Sequence, residues 1–269
     1  MNNLRILKYK TLKLSYLVKG TGSKGLICFH GYGRKADDFM TLNLTSEVKI
    51  ISINLPFHSE SQFEEKNPEK TLWKEDLIHY VSKIIEDEQV ESIFLVGYSL
   101  GAKAVLTLLE TTTFSIQGAV LFAPDGFKSN PWYWFASQTK FGEFINRFSI
   151  REPWVFNIFI KISKIGGFAS KRQLNFAKQQ MNSAEKRELV FNIWRAHRKL
   201  NANLNKVKSK INQEVISVRI ILGKYDKIIP STPIRKWAES SNETILIEEK
   251  CGHQIPLEII EKHILELIQ

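Results

Sequence analysis

The 269-residue sequence has only two cysteines, Cys28 and Cys251, both in apolar segments. Two cannot build a disulfide framework, so buried reduced thiols are expected, with a single Cys28–Cys251 bridge as the alternative. Long apolar runs are lacking as well: none approaches the roughly 20 residues that span a bilayer. The start, Met1-Asn2-Asn3-Leu4-Arg5-Ile6-Leu7-Lys8, returns to charge too soon to hold the apolar region of a secretory leader. Together these absences predict a cytoplasmic protein. No His/Cys/Asp cluster has metal-ligand spacing and no glycine-rich loop precedes a Lys-Ser/Thr pair, so neither a metal nor any other cofactor is expected. Internal repeats and low-complexity segments are missing too. What remains is an ordinary globular composition, 43% hydrophobic and 25% charged, in a chain long enough to bury a full core.

The net charge of +10 is unevenly spread. Residues 126–214 carry 17 Lys+Arg against 5 Asp+Glu, while the remainder carries 21 against 23. The same third of the chain holds 15 of the 30 aromatic residues. A segment of different character is inserted there.

Outside it, strands alternate with helices. Leu12–Val18 alternates at period two, as a half-buried strand does. Residues 25–29, 48–53, 93–96 and 119–122 are short apolar or β-branched runs, the signature of strands covered on both faces. Residues 71–88 have apolar positions at helical spacing, and 100–110 read as a buried helix. From about 126 the strand pattern stops. Trp132–Phe135 and Trp154–Ile160 suggest short helices, and Asn182-Ser183-Ala184-Glu185 has the form of a helix start, with a capping residue and a Glu three later. Strands return at 218–222 and 244–247, and Leu257–Ile268 is a closing amphipathic helix. The predicted fold class is α/β: a mostly parallel central sheet with helices on both faces, plus a helical cap insertion. The expected organisation is a core of 1–125 and 215–269, with the cap at 126–214.

Chemistry concentrates at Gly97-Tyr98-Ser99-Leu100-Gly101, which follows one apolar strand and opens a helix. A serine on so sharp a turn stands out at the sheet's carboxyl edge, and the helix N-terminus favours developing negative charge. A hydroxyl is a poor nucleophile, so a base and an orienting carboxylate are needed. Asp226 in Gly223-Lys224-Tyr225-Asp226 and His253 in Cys251-Gly252-His253 each follow a strand, in the order serine, acid, histidine. The competing structural reading makes Asp226 a turn residue and His253 a packed one. Ser99, Asp226 and His253 are the expected catalytic residues. Asp125, directly after strand 119–122, is the rival acid. His79, His197 and His263 lie in helical patterns and read as packing or surface residues.

On these motifs the chain resembles the α/β-hydrolase superfamily over about 1–125 and 215–269, in its serine esterase or lipase-like branch. Phe29-His30-Gly31-Tyr32-Gly33 is similar to that family's His-Gly segment. The resemblance implies an oxyanion hole from the backbone N–H groups of Tyr32 and Leu100, with His30 structural. Asn54-Leu55-Pro56-Phe57-His58-Ser59-Glu60-Ser61 resembles the family's Asp-x-Pro-Gly-His-Gly-x-Ser loop, with Asn54 for Asp and Phe57 and Ser59 for glycine. Those changes predict a different local loop geometry, and His58 reads as structural or pocket-lining. Some relatives use Asp125's position for the acid; the Gly-x-x-Asp around Asp226 favours Asp226.

The resemblance implies hydrolysis of a small to medium carboxylic ester, including lipidic ones, through an acyl-enzyme. A second reading keeps the triad for a thioester, a C–C bond or an elimination. The Tyr32-Gly33 and Asp37-Asp38-Phe39 region is similar to the menaquinone-pathway synthase branch. A third, of another class, is a non-catalytic hydrolase-like binding protein. The expected partner is a small-molecule substrate, anionic or acyl-containing, with no nucleic acid and no transmembrane segment. The basic aromatic segment reads either as a small helical core with a solvated basic face, or as an acyl pocket whose cationic mouth contacts membrane surfaces transiently.

Overall fold

The computed structural model of the chain describes residues 3–128, 131–166 and 171–269. Its first part runs β1 (Asn3–Tyr9), β2 (Leu12–Lys19), β3 (Lys24–Phe29), α1 (Asp37–Met40), β4 (Val48–Ile53), β5 (Gln62–Phe63), α2 (Lys74–Asp87), β6 (Ser92–Tyr98), α3 (Gly101–Thr111) and β7 (Ile116–Phe122). Five helices follow: α4 (Pro131–Gln138), α5 (Lys140–Arg151), α6 (Pro153–Ile165), α7 (Lys171–Gln180) and α8 (Ala184–His197). The chain then closes with α9 (Leu204–Gln213), β8 (Ser217–Gly223), α10 (Ser231–Ala238), β9 (Thr244–Glu249) and α11 (Leu257–Ile268).

Two compact units result. One comprises Met1–Asn67, Leu72–Lys128 and Leu200–Gln269; the other comprises Pro68–Thr71 and Ser129–Lys199. The first is built on a mixed sheet of order β1-β2-β4-β3-β6-β7-β8-β9, with β5 on β2. The β1–β2 and β2–β4 pairs are antiparallel, and every pair from β4 to β9 is parallel. Parallel strands need helices on both faces to shield them. On one face Phe94, Val96, Val120 and Phe122 form a cluster with Phe39 and Met40 of α1 and Ile260 and Ile264 of α11. Each such buried aliphatic or aromatic side chain contributes about 1.5–3 kcal/mol of transfer free energy. On the other face α3 lies so close to β6 that a Cβ on Gly97 would sit 2.8 Å from the Ala102 Cα. Nine residues of α3 are buried, from Gly101 to Leu109, which explains its lack of a polar face in sequence.

The sequence reading misses β1 and β5. In β1 the apolar Leu4 and Ile6 are exposed and Arg5 is paired with Glu88, so no clean alternation marks it. Cys28 is buried and Cys251 only partly so; both are free thiols. The cap at α8 is Ser183, not Asn182: its Oγ accepts from the Lys186 N–H at 3.3 Å.

The helical unit buries polar side chains beside apolar ones such as Val190, Phe191 and Ile193. Arg187 donates to the carbonyls of Ile150 and Met181, and Glu143 accepts from Arg198 and forms an ion pair with Arg195 at 3.3 Å. Thr139 caps α5 by accepting from the Gly142 N–H at 2.9 Å. Helix α9, within the expected 126–214 segment, packs instead with the sheet unit. Its Lys210 ammonium bonds the Thr112 carbonyl, and the Leu204 carbonyl accepts from Trp237 Nε1 at 3.0 Å.

Candidate active site

Ser99 is held in the left-handed region, with φ at 49°. Three bonds lock the turn: its N–H donates to the Phe122 carbonyl at 2.8 Å, and its carbonyl accepts from Ala102 and Asp125 at 3.0 Å each. The flanking glycines are sterically required. A Cβ on Gly101 would fall 2.1 Å from the Phe29 carbonyl oxygen, which is backbone and cannot swing away. Strain of this kind costs about 1–3 kcal/mol and persists only where the surroundings over-determine it.

The structure brings Ser99, His253 and Asp226 together. His253 Nε2 lies 3.1 Å from Ser99 Oγ, and His253 Nδ1 lies 2.8 Å from Asp226 Oδ2. The other carboxylate oxygen of Asp226 accepts from the N–H groups of Ile228 at 2.8 Å and Ile229 at 3.1 Å. Burial opposes ionisation of this side chain. The bond and charge of His253 and the two backbone donors outweigh it, holding the carboxyl below the ordinary aspartate range. An ionised Asp226 keeps the proton of His253 on Nδ1 and leaves Nε2 free to accept. Asp125 is turned elsewhere: its oxygens meet the Gly126 N–H at 2.7 Å and the Lys103 ammonium at 3.6 Å.

The loops carrying Asp226 and His253 meet because β8 ends in a glycine. A Cβ on Gly223 would lie 2.1 Å from the Gly252 carbonyl oxygen. The Tyr225 N–H bonds the Cys251 carbonyl at 2.9 Å across the same junction. The sequence reading passes over Tyr98, which anchors the histidine loop from beneath. Its hydroxyl donates to the His253 carbonyl at 2.6 Å and accepts from the Ile255 N–H at 3.0 Å. Its ring meets the His253 imidazole edge-on, with centroids 6.2 Å apart, and the Arg34 guanidinium lies 4.4 Å from the Tyr98 centroid. Its neighbourhood to Ser99 in the motif was the one available signal.

No described residue accepts a hydrogen bond from the N–H of Tyr32 or of Leu100. The Tyr32 turn is tied close to Ser99: a Cβ on Gly31 would lie 3.3 Å from the Ser99 Cβ. His30 is fully buried, with Nδ1 at 2.8 Å from the Gly31 carbonyl and Nε2 accepting from the Leu55 N–H at 3.0 Å. His58 Nε2 accepts from the Gly33 N–H at 3.3 Å, and burial pushes its pKa below the ordinary histidine value. The two rings are in edge contact at 4.7 Å, so together they brace the loop after β3 against the loop after β4. Asn54 Oδ1 accepts from the Ala36 N–H at 3.0 Å, and its amide reaches Ser15 Oγ at 3.1 Å.

Phe57 and Ser59 both adopt positive φ, 66° and 48°, the region that glycine favours, and the loop holds that path through the Phe57 N–H bond to the Ser61 carbonyl at 2.8 Å. The remaining histidines are structural: His79 stacks on Tyr9 at 3.7 Å, His197 is buried against the Ile193 carbonyl, and His263 sits between Glu249 and Glu266. Among the described residues no group of His, Cys, Asp and Glu is arranged to hold a metal ion, and no helix is long and apolar enough to cross a membrane.

A parallel sheet of this order, with a serine elbow after its central strand, is the architecture of the α/β hydrolases. Residues 66–259, well over half of the chain, match the family model Hydrolase_4, described as serine aminopeptidase S33, and the chain belongs to that α/β-hydrolase family and is an enzyme of the hydrolase type. No curated protein sequence matches. Among solved structures, a thermophilic esterase from Thermogutta terrifontis is 15% identical with a TM-score of 0.67, covering 98% of each chain. An α/β-hydrolase enzyme from a Medee basin deep-sea metagenome library is 13% identical with a TM-score of 0.65, covering 98% of this chain and 96% of that one. The thioesterase domain from the curacin biosynthetic pathway is 10% identical with a TM-score of 0.64, covering all of both chains.

Proposed function

We propose that this hydrolase cleaves a small to medium carboxylic ester, lipidic esters included, through an acyl-enzyme on Ser99. The observation that carries the reading is the relay of bonds from Ser99 Oγ through His253 to Asp226, at 3.1 and 2.8 Å. Ser99 Oγ attacks the carbonyl carbon while His253 Nε2 takes its proton. The tetrahedral oxyanion is held by the N–H groups of Tyr32 and Leu100, which have no acceptor among the described residues. Fixed donors of this kind are worth about 3–4 kcal/mol each in transition-state stabilisation. Collapse breaks the C–O bond, and the proton passes from Nε2 to the leaving alkoxide. Water, deprotonated by the same nitrogen, then attacks the acyl carbon and releases the acid and Ser99. Asp226 stays ionised throughout and stabilises the imidazolium.

The segment inserted between β7 and β8 would serve as the cap. The free thiols of Cys28 and Cys251 support a cytoplasmic location. A second reading applies the triad to a thioester, the bond named for the curacin-pathway neighbour. The experiment is a panel of p-nitrophenyl esters, acyl thioesters and aminoacyl anilides of graded length, run on wild type and Ser99→Ala beside fluorophosphonate labelling. Ester turnover and labelling that both vanish in Ser99→Ala are expected. A folded wild type that neither labels nor turns over any member overturns the reading and leaves a non-catalytic binding role.

A further inference from the structure

Helix α5 is inside out. Its buried positions are Gly142, Asn146 and Ser149, small or polar, while Phe141, Phe144 and Phe148 lie exposed, the first two at 65% and 66%. Positions i, i+3 and i+7 form one stripe on a helix, so the three rings make a continuous apolar edge facing outward. Helix α6 likewise exposes Trp154, Ile158 and Ile162 along i, i+4 and i+8, while Val155 and Ser163 are buried. The Phe148 and Trp154 rings meet edge-on at 6.3 Å, which joins the two stripes into one surface. Single exposed apolar residues are ordinary; a surface continuous across two helices marks a docking site.

Its border identifies the occupant. Lys140, Arg147 and Arg151 are exposed on α5, at helical angles immediately beside the phenylalanine stripe, and the exposed Lys161 flanks Trp154 in the same way on α6. Two acidic residues adjoin these stripes: Glu143, which turns inward to Arg195 and Arg198, and Glu152, which accepts from Trp154 Nε1 at 3.2 Å, so the cations outnumber the one outward carboxylate by four to one. A protein partner's apolar groove would not need a row of cations along the stripe. An anionic bilayer would: aromatic rings enter the acyl boundary while Lys and Arg snorkel to phosphate and carboxylate headgroups. We propose that the outer face of α5 and α6 docks this protein on membranes that carry anionic lipid. The proposal stands apart from the chemistry at Ser99, and a lipid-surface location would narrow the ester reading to substrates drawn from that surface.

The test is flotation of the full chain with vesicles of phosphatidylcholine alone and with 30% phosphatidylserine, at low and high salt. Two variants go beside wild type: Phe144→Asp with Phe148→Asp, and Arg147→Gln with Arg151→Gln. Wild type is expected to float with the anionic vesicles, less so at high salt. The arginine variant should lose about 25-fold in partitioning, at about fivefold per cation, and the phenylalanine variant should stay in the soluble fraction. Circular dichroism and Ser99 labelling in vesicle-free buffer report folding and chemistry separately, and both should match wild type. Wild type failing to float, floating equally with neutral vesicles, or floating undiminished in the variants overturns the proposal. So does a dimer in light scattering that the phenylalanine variant dissolves, since a second copy would then own the face. If the phenylalanine variant does not fold, the arginine variant alone decides.

Discussion

Asp226→Asn tests the proposed chemistry at one atom. The asparagine amide oxygen can keep the bonds from Ile228 and Ile229 at 2.8 and 3.1 Å. That choice turns its NH2 toward His253 Nδ1, where two donors cannot face one another. The ring proton therefore moves to Nε2, which lies 3.1 Å from Ser99 Oγ. Nε2 then offers a proton where one must be accepted, and Ser99 loses its base. The equivalent change in a serine protease lowers kcat by about 10⁴, or roughly 5 kcal/mol of barrier. The assay is the second-order rate of fluorophosphonate labelling, read by intact mass, which needs no knowledge of the natural substrate. The near-isosteric change should leave the fold intact at a cost of about 1–3 kcal/mol for the lost charge-assisted bond. A folded variant labelling within tenfold of wild type would refute the reasoning, because control of the imidazole tautomer would not be what Asp226 supplies.

Tyr98→Phe removes both hydrogen bonds to the histidine loop and leaves the Ile255 N–H unpaired, a loss of about 1–3 kcal/mol in denaturant unfolding. Labelling should slow about tenfold, since His253 loses its anchor but not its partner. Val215→Gly should raise stability by about 1 kcal/mol, or roughly 2 °C in Tm. Val215 is an exposed β-branched residue with φ at 54°, just past the end of α9, where the Ile216 N–H closes back on the Ile211 carbonyl at 2.9 Å; an unchanged or lower melting temperature would count against this. The depressed pKa of Asp226 predicts a pH window. Its stabilisation is fully present above the unfolded value of about 3.9 and lost as pH falls through the lower folded value. The stability gap between wild type and Asp226→Asn should therefore be flat above pH 5 and narrow below pH 4, as followed by urea titrations at each pH.

The strands carrying Ser99, Asp226 and His253 were legible because a sheet covered on both faces needs short, nearly continuous apolar runs, and the site residues follow those runs directly. The edge strand β1 was not legible, since its charged residues and exposed Leu4 and Ile6 leave no periodic signal. Tyr98 was hidden for a different reason: its partners lie 155 and 157 residues away, and no local pattern encodes so distant a bond. Periodicity found helical apolar stretches near Trp154 but carries a blind spot: it tells which side of a helix is apolar, never which way that side faces. Residue type does not report the left-handed backbone at Phe57 and Ser59, which surrounding bonds hold without glycine.

The helical insertion also separates the site in time. Ser99 and its elbow belong to the part of the chain made before residues 129–199, while Asp226 and His253 come after it. Pairing β7 with β8 closes a loop of 94 residues, from 123 to 216, at an entropic cost of roughly 4 kcal/mol before any contact is gained. During synthesis the ribosome would thus release the half-sheet that bears Ser99 well before His253, so the proposed nucleophile precedes its proposed base by the whole of the insertion.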